Sequence, residues 1–276
     1  MVVCAVHRVS VKAGGRTMTQ EGSVIEAQGL TRRYGGASVV ADVSFTVAPG
    51  ELLALVGASG SGKTTTLKMI NRLVEPDAGR VLIDGRDTGG MELHALRRSI
   101  GYVFQGVGLF PHMTVAENVG LPLSLLGWER DRRTARVREL LVLVELPPET
   151  GDRFPAALSG GQQQRAGVAR ALAASPRMLL LDEPFGALDP LTRDRLQQTF
   201  ARLRRELALT AVLVSHDMAE ALVLADRIGV MRAGRLLQVG RPEELARAPA
   251  DDEVARMLDT PRRQARLVEE RLGRRE

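Results

Sequence analysis

Aromatic side chains make up only 3% of this chain, and cysteine occurs once, at Cys4. A single cysteine excludes an intramolecular disulfide framework and fits a reducing compartment. Six Phe, two Tyr and one Trp are too few for the stacking platforms on which single-stranded nucleic acids lie. Lysine is scarce too: Lys12, Lys63 and Lys68 are the only three among 38 basic residues. The formal charge of +5 therefore reflects an arginine bias. The arginine clusters at 130–138 and 262–275 are interleaved with Asp131, Glu139, Glu269 and Glu270, the pattern of a solvated helix face rather than a polyanion site. No nucleic-acid partner is expected. No apolar run approaches bilayer length. The first residues lack the charged segment and apolar core of a signal peptide. Internal repeats and low-complexity tracts are absent as well.

With 276 residues, 44% of them hydrophobic, the chain can bury the core of one large domain with a subdomain. Val24–Gln28, Val43–Val47 and Arg80–Ile83 read as short antiparallel strands, with turns at Ala48-Pro49-Gly50 and Asp84-Gly85. Leu52–Val56, Ile100–Phe104, Met178–Leu181, Ala211–Val214 and Ile228–Met231 are apolar runs suited to a parallel sheet buried on both faces. Between Gln105 and Arg177 helical spacing takes over, around Val115–Leu126, Arg133–Val144 and Gly161–Ala174. The expectation is an α/β fold with a parallel sheet core, an N-terminal antiparallel β-subdomain and an inserted helical subdomain at about 106–175. Residues 1–22 read as a non-native or disordered extension, with Met18 as the cleaner start. The main domain is expected over 23–261, and a helical tail over 262–276. In that tail Ala265, Val268 and Leu272 share one face, which predicts a short closing helix packed on the core.

Gly57-Ala58-Ser59-Gly60-Ser61-Gly62-Lys63-Thr64 matches the P-loop pattern G-x-x-x-x-G-K-[ST] in full. An apolar strand precedes it, and Thr65-Thr66-Leu67-Lys68-Met69-Ile70 continues it at helical spacing. The motif requires that context. Glycines let backbone N–H groups curl around phosphates with no Cβ in the way, and the helix N-terminus adds positive potential there. Lys63 is expected to reach the outer phosphates, and the Thr64 hydroxyl to take one position on Mg²⁺, so a nucleoside triphosphate is the expected ligand. Downstream, Met178-Leu179-Leu180-Leu181 runs into Asp182 and Glu183. A carboxylate at a strand's carboxyl end is where a P-loop protein holds Mg²⁺. Its neighbour can orient or deprotonate an attacking water.

Leu158-Ser159-Gly160-Gly161-Gln162-Gln163-Gln164-Arg165 resembles the signature motif of ATP-binding cassette (ABC) ATPases. Gln105 resembles the family's Q-loop, Ala187-Leu188-Asp189 its D-loop and His216 its switch histidine. Tyr34 is placed like the aromatic that stacks on adenine. These motifs stand in family order over about 24–261. The resemblance implies a P-loop NTPase with a RecA-like core that binds ATP and Mg²⁺. The ATP contacts would come from Tyr34, Gly57 to Thr65 and Ser159 to Gln162; Thr64, Gln105 and Asp182 would hold the metal. Glu183, His216 and Gln105 would carry catalysis. Ser159, Gly160 and Gly161 precede a helix and so form a second anion-binding start. The resemblance has this start reach the γ-phosphate held by an opposing protomer. ATP would thus glue a head-to-tail homodimer, or a dimer with a related ATPase, with Asp189 at the D-loop contact.

Finer similarity comes from Thr64-Thr65-Thr66-Leu67-Lys68-Met69-Ile70-Asn71-Arg72-Leu73, Gly108-Leu109-Phe110-Pro111-His112-Met113-Thr114-Val115-Ala116-Glu117-Asn118 and Leu126-Gly127-Trp128. These resemble the ATPase subunits of bacterial osmoprotectant importers, which take up glycine betaine, choline, carnitine or proline betaine. The implied partners are a membrane permease and, through it, an extracytoplasmic solute-binding protein. The implied location is the cytoplasmic face of the membrane. Leu109 and Phe110 serve either the permease contact or the subdomain's own packing. The other open readings are an exporter or another solute's ABC transporter, a soluble ABC ATPase, and an ATP sensor without hydrolysis; intact Glu183 and His216 argue against the last. Some betaine-importer ATPases carry tandem regulatory domains after the core, and this chain ends about fifteen residues past it.

Overall fold

A computed structural model describes residues 24–186 and 188–273. Cys4, the start expected at Met18 and the extension around it lie outside the described residues, as does Ala187. The elements follow in chain order: β1 (Ile25–Tyr34), β2 (Ala37–Val47), β3 (Leu52–Val56), α1 (Lys63–Ile70), β4 (Ala78–Ile83), β5 (Arg86–Asp87), α2 (Leu93–Ser99) and β6 (Ile100–Val103). Three helices come next, α3 (Val115–Leu125), α4 (Arg130–Leu143) and α5 (Gly160–Leu172). Alternation then resumes with β7 (Met178–Asp182), α6 (Pro190–Glu206), β8 (Thr210–Ser215), α7 (Met218–Leu224), β9 (Arg227–Arg232), β10 (Arg235–Gly240), α8 (Pro242–Arg247) and α9 (Asp252–Leu272).

Two sheets result. An antiparallel one has the order β2-β1-β4-β5, and a six-stranded one the order β10-β9-β3-β8-β7-β6. In the second, β6, β7, β8, β3 and β9 are mutually parallel, and only β10 runs antiparallel, at an edge. Every residue of β3, β7 and β8 is buried. The reason lies in the period of two along a strand. Leu52, Ala54 and Val56 join the core shared with α3 to α7, whereas Leu53 and Leu55 join the core beneath α1 and the antiparallel sheet. A strand covered on both faces must be apolar throughout, which is why these runs were legible.

The early strands extend well beyond the short apolar stretches that predict them, because their outer halves are runs of exposed or half-buried residues around a single buried Leu30 or Val40 and so leave no apolar pattern. β10 carried no comparable apolar run and was not expected. The tail differs most from expectation. α9 passes unbroken through Pro261, so the limit placed before Arg262 falls inside one helix. Val254 and Leu258 are buried, but Ala265, Val268 and Leu272 are exposed rather than packed. The apolar stripe is present, yet no other element of the described chain lies far enough out to cover its second half. Leu109 packs against the core, and Phe110 stays exposed with its ring edge-on to His112.

Candidate active site

All the expected catalytic residues follow the carboxyl ends of parallel strands, the edge where open α/β sheets bind ligands. The P-loop leaves β3, Gln105 comes two residues after β6, Asp182 closes β7, and His216 follows β8. Register sets the distances. Val103 pairs with Leu181, and Leu181 with Leu213, so Gln105, Glu183 and Ser215 occupy one row across three strands. Glu183 continues the ladder, its N–H donating to Val214 O at 3.0 Å.

Within the P-loop, Lys63 is 4% exposed and its Nζ donates to Gly57 O (2.7 Å), Ala58 O (2.8 Å) and Ser61 Oγ (3.3 Å). Burial lowers its pKa, opposed by the carboxylates of Glu183 and Asp182. Gly62 is the N-cap of α1 with φ +96, and a Cβ there would lie 2.5 Å from Val39 O. Only glycine satisfies both that backbone and the close approach of β2. Gly57, Ser61 and Lys63 are buried, whereas Ala58, Ser59 and Gly60 form the exposed crown of the loop.

Asp182 is 3% exposed. Its Oδ1 accepts from Thr64 Oγ1 at 2.8 Å and its Oδ2 from Tyr102 Oη at 3.4 Å. Sequence reasoning did not single out Tyr102; its only signal was one hydroxyl within an apolar strand. Burial, and then the Asp182 carboxylate, push its phenol far above the usual range. Glu183 Oε2 accepts from Gln105 Nε2 at 3.1 Å and lies 3.5 Å from His216 Nδ1. Glu183 also holds φ +45, a strained conformation for a non-glycine residue and one that concentrates at functional sites.

The other expected residues stand apart from this cluster. Tyr34 ends β1, half-exposed, with the Arg32 guanidinium 4.7 Å from its ring centroid. Ser159 caps α5 in a reciprocal box with Gln162: Ser159 Oγ accepts from Gln162 N–H at 3.3 Å, and Gln162 Oε1 from Ser159 N–H at 3.0 Å. A Cβ at Gly161 would lie 2.3 Å from Thr192 Cγ2, so a side chain there would force α5 away from α6. Asp189 caps α6, accepting from Thr192 N–H at 3.0 Å. Its hydrogen bonds from Thr192 hold the carboxyl below the usual range.

Among the described residues no three His, Cys, Asp or Glu side chains converge as a metal cage. The Thr64 hydroxyl and Asp182 carboxylate instead offer the one or two hard oxygens that Mg²⁺ takes from protein when phosphates and water supply the rest. A buried ammonium ringed by carbonyls, a helix N-terminus and this oxygen pair together define a P-loop nucleotide fold.

A family model described as ABC transporter matches residues 40–186. The choline transport ATP-binding protein OpuBA of Bacillus subtilis is 50% identical over 240 residues, covering 87% of this chain and 63% of that protein. The glycine betaine uptake system ATP-binding protein YehX of Escherichia coli is 45% identical over 245 residues, covering 89% and 80%. The dimeric ATP-binding cassette MJ0796 bound to ADP and Pi superposes with a TM-score of 0.72 at 33% identity, covering 79% of this chain and 98% of that one. The chain belongs to the ABC transporter family, as an ATP-binding cassette. It spans 63% of the length of the Bacillus relative.

Proposed function

We propose that this chain hydrolyses ATP and energises the uptake of an osmoprotectant or related quaternary-amine solute through a partner permease. The reading is carried by the convergence on one sheet edge of the P-loop, the Thr64–Asp182 pair, and Glu183 held between Gln105 and His216. Mg·ATP, when bound, supplies the phosphoanhydride that is cleaved. The backbone N–H groups from Gly60 to Thr65 cradle phosphate oxygens at the start of α1. Lys63 turns its ammonium from the loop carbonyls to the outer phosphates. Thr64 and Asp182 hold Mg²⁺, and Gln105 reaches the same ion. Glu183 orients the attacking water and accepts its proton, with Gln105 and His216 fixing the carboxylate. Tyr34 stacks on the adenine.

Among the described residues the start of α5 meets no such partner. Ser159, Gly160, Gly161 and Gln162 form a second helix N-terminus suited to an anion, and no hydrogen bond among the described residues joins it to the P-loop. Two copies, or one copy and a related ATPase, set head to tail would complete two composite sites, with Asp189 at the seam. MJ0796, to which this fold is similar, is a dimer in its solved structure. The solute class rests on similarity to proteins named for choline and glycine betaine transport.

No helix among the described residues is long and apolar enough to cross a membrane. We place the chain on the cytoplasmic face of the bacterial plasma membrane, docked on the permease by the residues that follow Gln105. The segment 106–175 is its helical subdomain. Affinity capture from detergent-solubilised native membranes, followed by mass spectrometry, tests this reading. A small permease with an extracytoplasmic solute-binding protein is the expected catch, and that binding protein can be screened against betaines. Recovery of ribosomes or nucleic acid would overturn it.

A further inference from the structure

Directly after Gln105 the backbone is left-handed three times in succession, at Gly106 (φ +75), Val107 (φ +67) and Gly108 (φ +59). Glycine tolerates this, but a β-branched residue does not, and valine there is a genuine outlier. The Gly108 N–H donates to Gly106 O at 2.7 Å, an i to i+2 bond that makes Val107 the centre of a γ-turn of the rare, positive-φ form. Such strain persists only where the surroundings over-determine it.

The surroundings are supplied by α5, the helix that Ser159 caps. Arg170, 9% exposed, donates from Nη1 to Gly108 O at 2.7 Å and from Nη2 to Val107 O at 2.9 Å. Its guanidinium carbon also lies 6.0 Å from the centroid of Phe104. One turn back on the same helix, a Cβ at Gly167 would lie 3.0 Å from Val107 Cγ1, so the absence of a side chain leaves room for the valine. A buried cation is costly without a counter-charge. No salt bridge among the described residues involves Arg170, and both of these bonds go to backbone carbonyls. Its fork thus grips the chain just after Gln105, whose amide reaches Glu183 at 3.1 Å.

We propose that Arg170 is a positioning residue for Gln105: by clamping the carbonyls of Val107 and Gly108 it holds the strained turn, and with it the glutamine, where the amide meets Glu183. The clamp ties the helix that starts at Ser159 to the residue beside the hydrolytic carboxylate. Phe104 and Arg170 also line a groove of about 540 Å³ together with Leu121, Leu125 and Arg97. The catalytic half of this inference rests on the function proposed above; the mechanical half does not.

The test uses the full chain with two readouts. Arg170→Met keeps the stem and removes the fork, and Arg170→Lys keeps the charge but not the two-pronged geometry. Hydrogen exchange across 104–109 is expected to quicken at least tenfold in both variants while α1 and β7 stay protected. In parallel, kcat for ATP is expected to fall at least tenfold with KM changed less than threefold. The double variant Arg170→Met/Gln105→Ala should be no slower than Gln105→Ala alone. Because the left-handed turn no longer strains residue 107, Val107→Gly should restore part of the loss in Arg170→Met. Unchanged exchange across 104–109 overturns the clamp whatever the turnover. Faster exchange with wild-type turnover, or additive losses with Gln105→Ala, overturns the link to Gln105. A wild-type chain that never turns over ATP defeats the proposed function instead, and the exchange result still decides the clamp. Should Arg170→Met lose cooperative unfolding, Arg170→Lys carries the same comparison.

Discussion

Thr64 and Asp182 stand 118 positions apart in the chain, yet the threonine hydroxyl donates to the aspartate carboxylate at 2.8 Å. The bond joins the first turn of α1 to the last residue of β7, with Tyr102 on the carboxylate's other oxygen. It places two hard oxygens beside the P-loop. The first prediction follows from it. Asp182→Asn keeps the shape and most of the hydrogen bonding but removes the charge. Mg²⁺-dependent ATP turnover should fall by on the order of 100-fold, with little change in melting temperature. A Mg²⁺ titration of turnover checks this, and an unchanged Mg²⁺ requirement would remove Asp182 from the metal site.

Lys63 holds its ammonium among loop carbonyls, with burial weakening its hold on the proton and Asp182 and Glu183 strengthening it. Lys63→Ala should weaken ATP binding by roughly 100-fold or more, since charge-assisted bonds to phosphate are lost together. Equilibrium binding of a fluorescent ATP analogue measures it. Retained tight binding would undo the phosphate-cradle assignment.

Glu183 sits between an amide donor and an imidazole. Glu183→Gln preserves the size and removes the proton acceptor. The expected result is turnover reduced by about 100-fold or more, together with an ATP-dependent dimer stable enough for light scattering. Wild-type turnover in this variant would mean that another group activates the water.

Glu220 supplies a pH prediction. It is buried on α7, with Ser215 Oγ donating to its Oε2 at 2.5 Å and no partner at Oε1. Burial, only partly offset by the Ser215 bond, pushes its carboxyl up to about 7. The folded state therefore binds this proton more tightly than the unfolded state does. The resulting stability is full below the ordinary glutamate range and is lost as pH rises to about 7, by about 3 kcal/mol at most. Melting temperatures measured from pH 5 to 8 should fall less in Glu220→Gln than in wild type. Parallel curves for the two proteins would exclude Glu220 as the titrating group.

The parallel strands were legible because burial on both faces demands unbroken apolar runs, and the P-loop because its glycines and Lys63 are local in sequence. The signature helix was legible through helical spacing and its resemblance to a family motif, whereas the reciprocal cap between Ser159 and Gln162 is seen only in the structure. Tyr102 and Arg170 were not legible. A tyrosine hydroxyl in a strand and an arginine in a helix have no local signature, and each acquires its partner only when distant segments meet. Ala265, Val268 and Leu272 misled for the converse reason: an apolar stripe records that a face can pack, and no described residue covers this one.

The sequence by itself determined which backbone segments can cradle phosphates, which strands are buried and which acids end them, since these depend on residue type at short spacing. Strand order and register, which are non-local, decided the rest. By setting β6, β7 and β8 side by side they brought Gln105, Glu183 and His216 together. By laying α5 against the turn after Gln105 they gave Arg170 two carbonyls to hold.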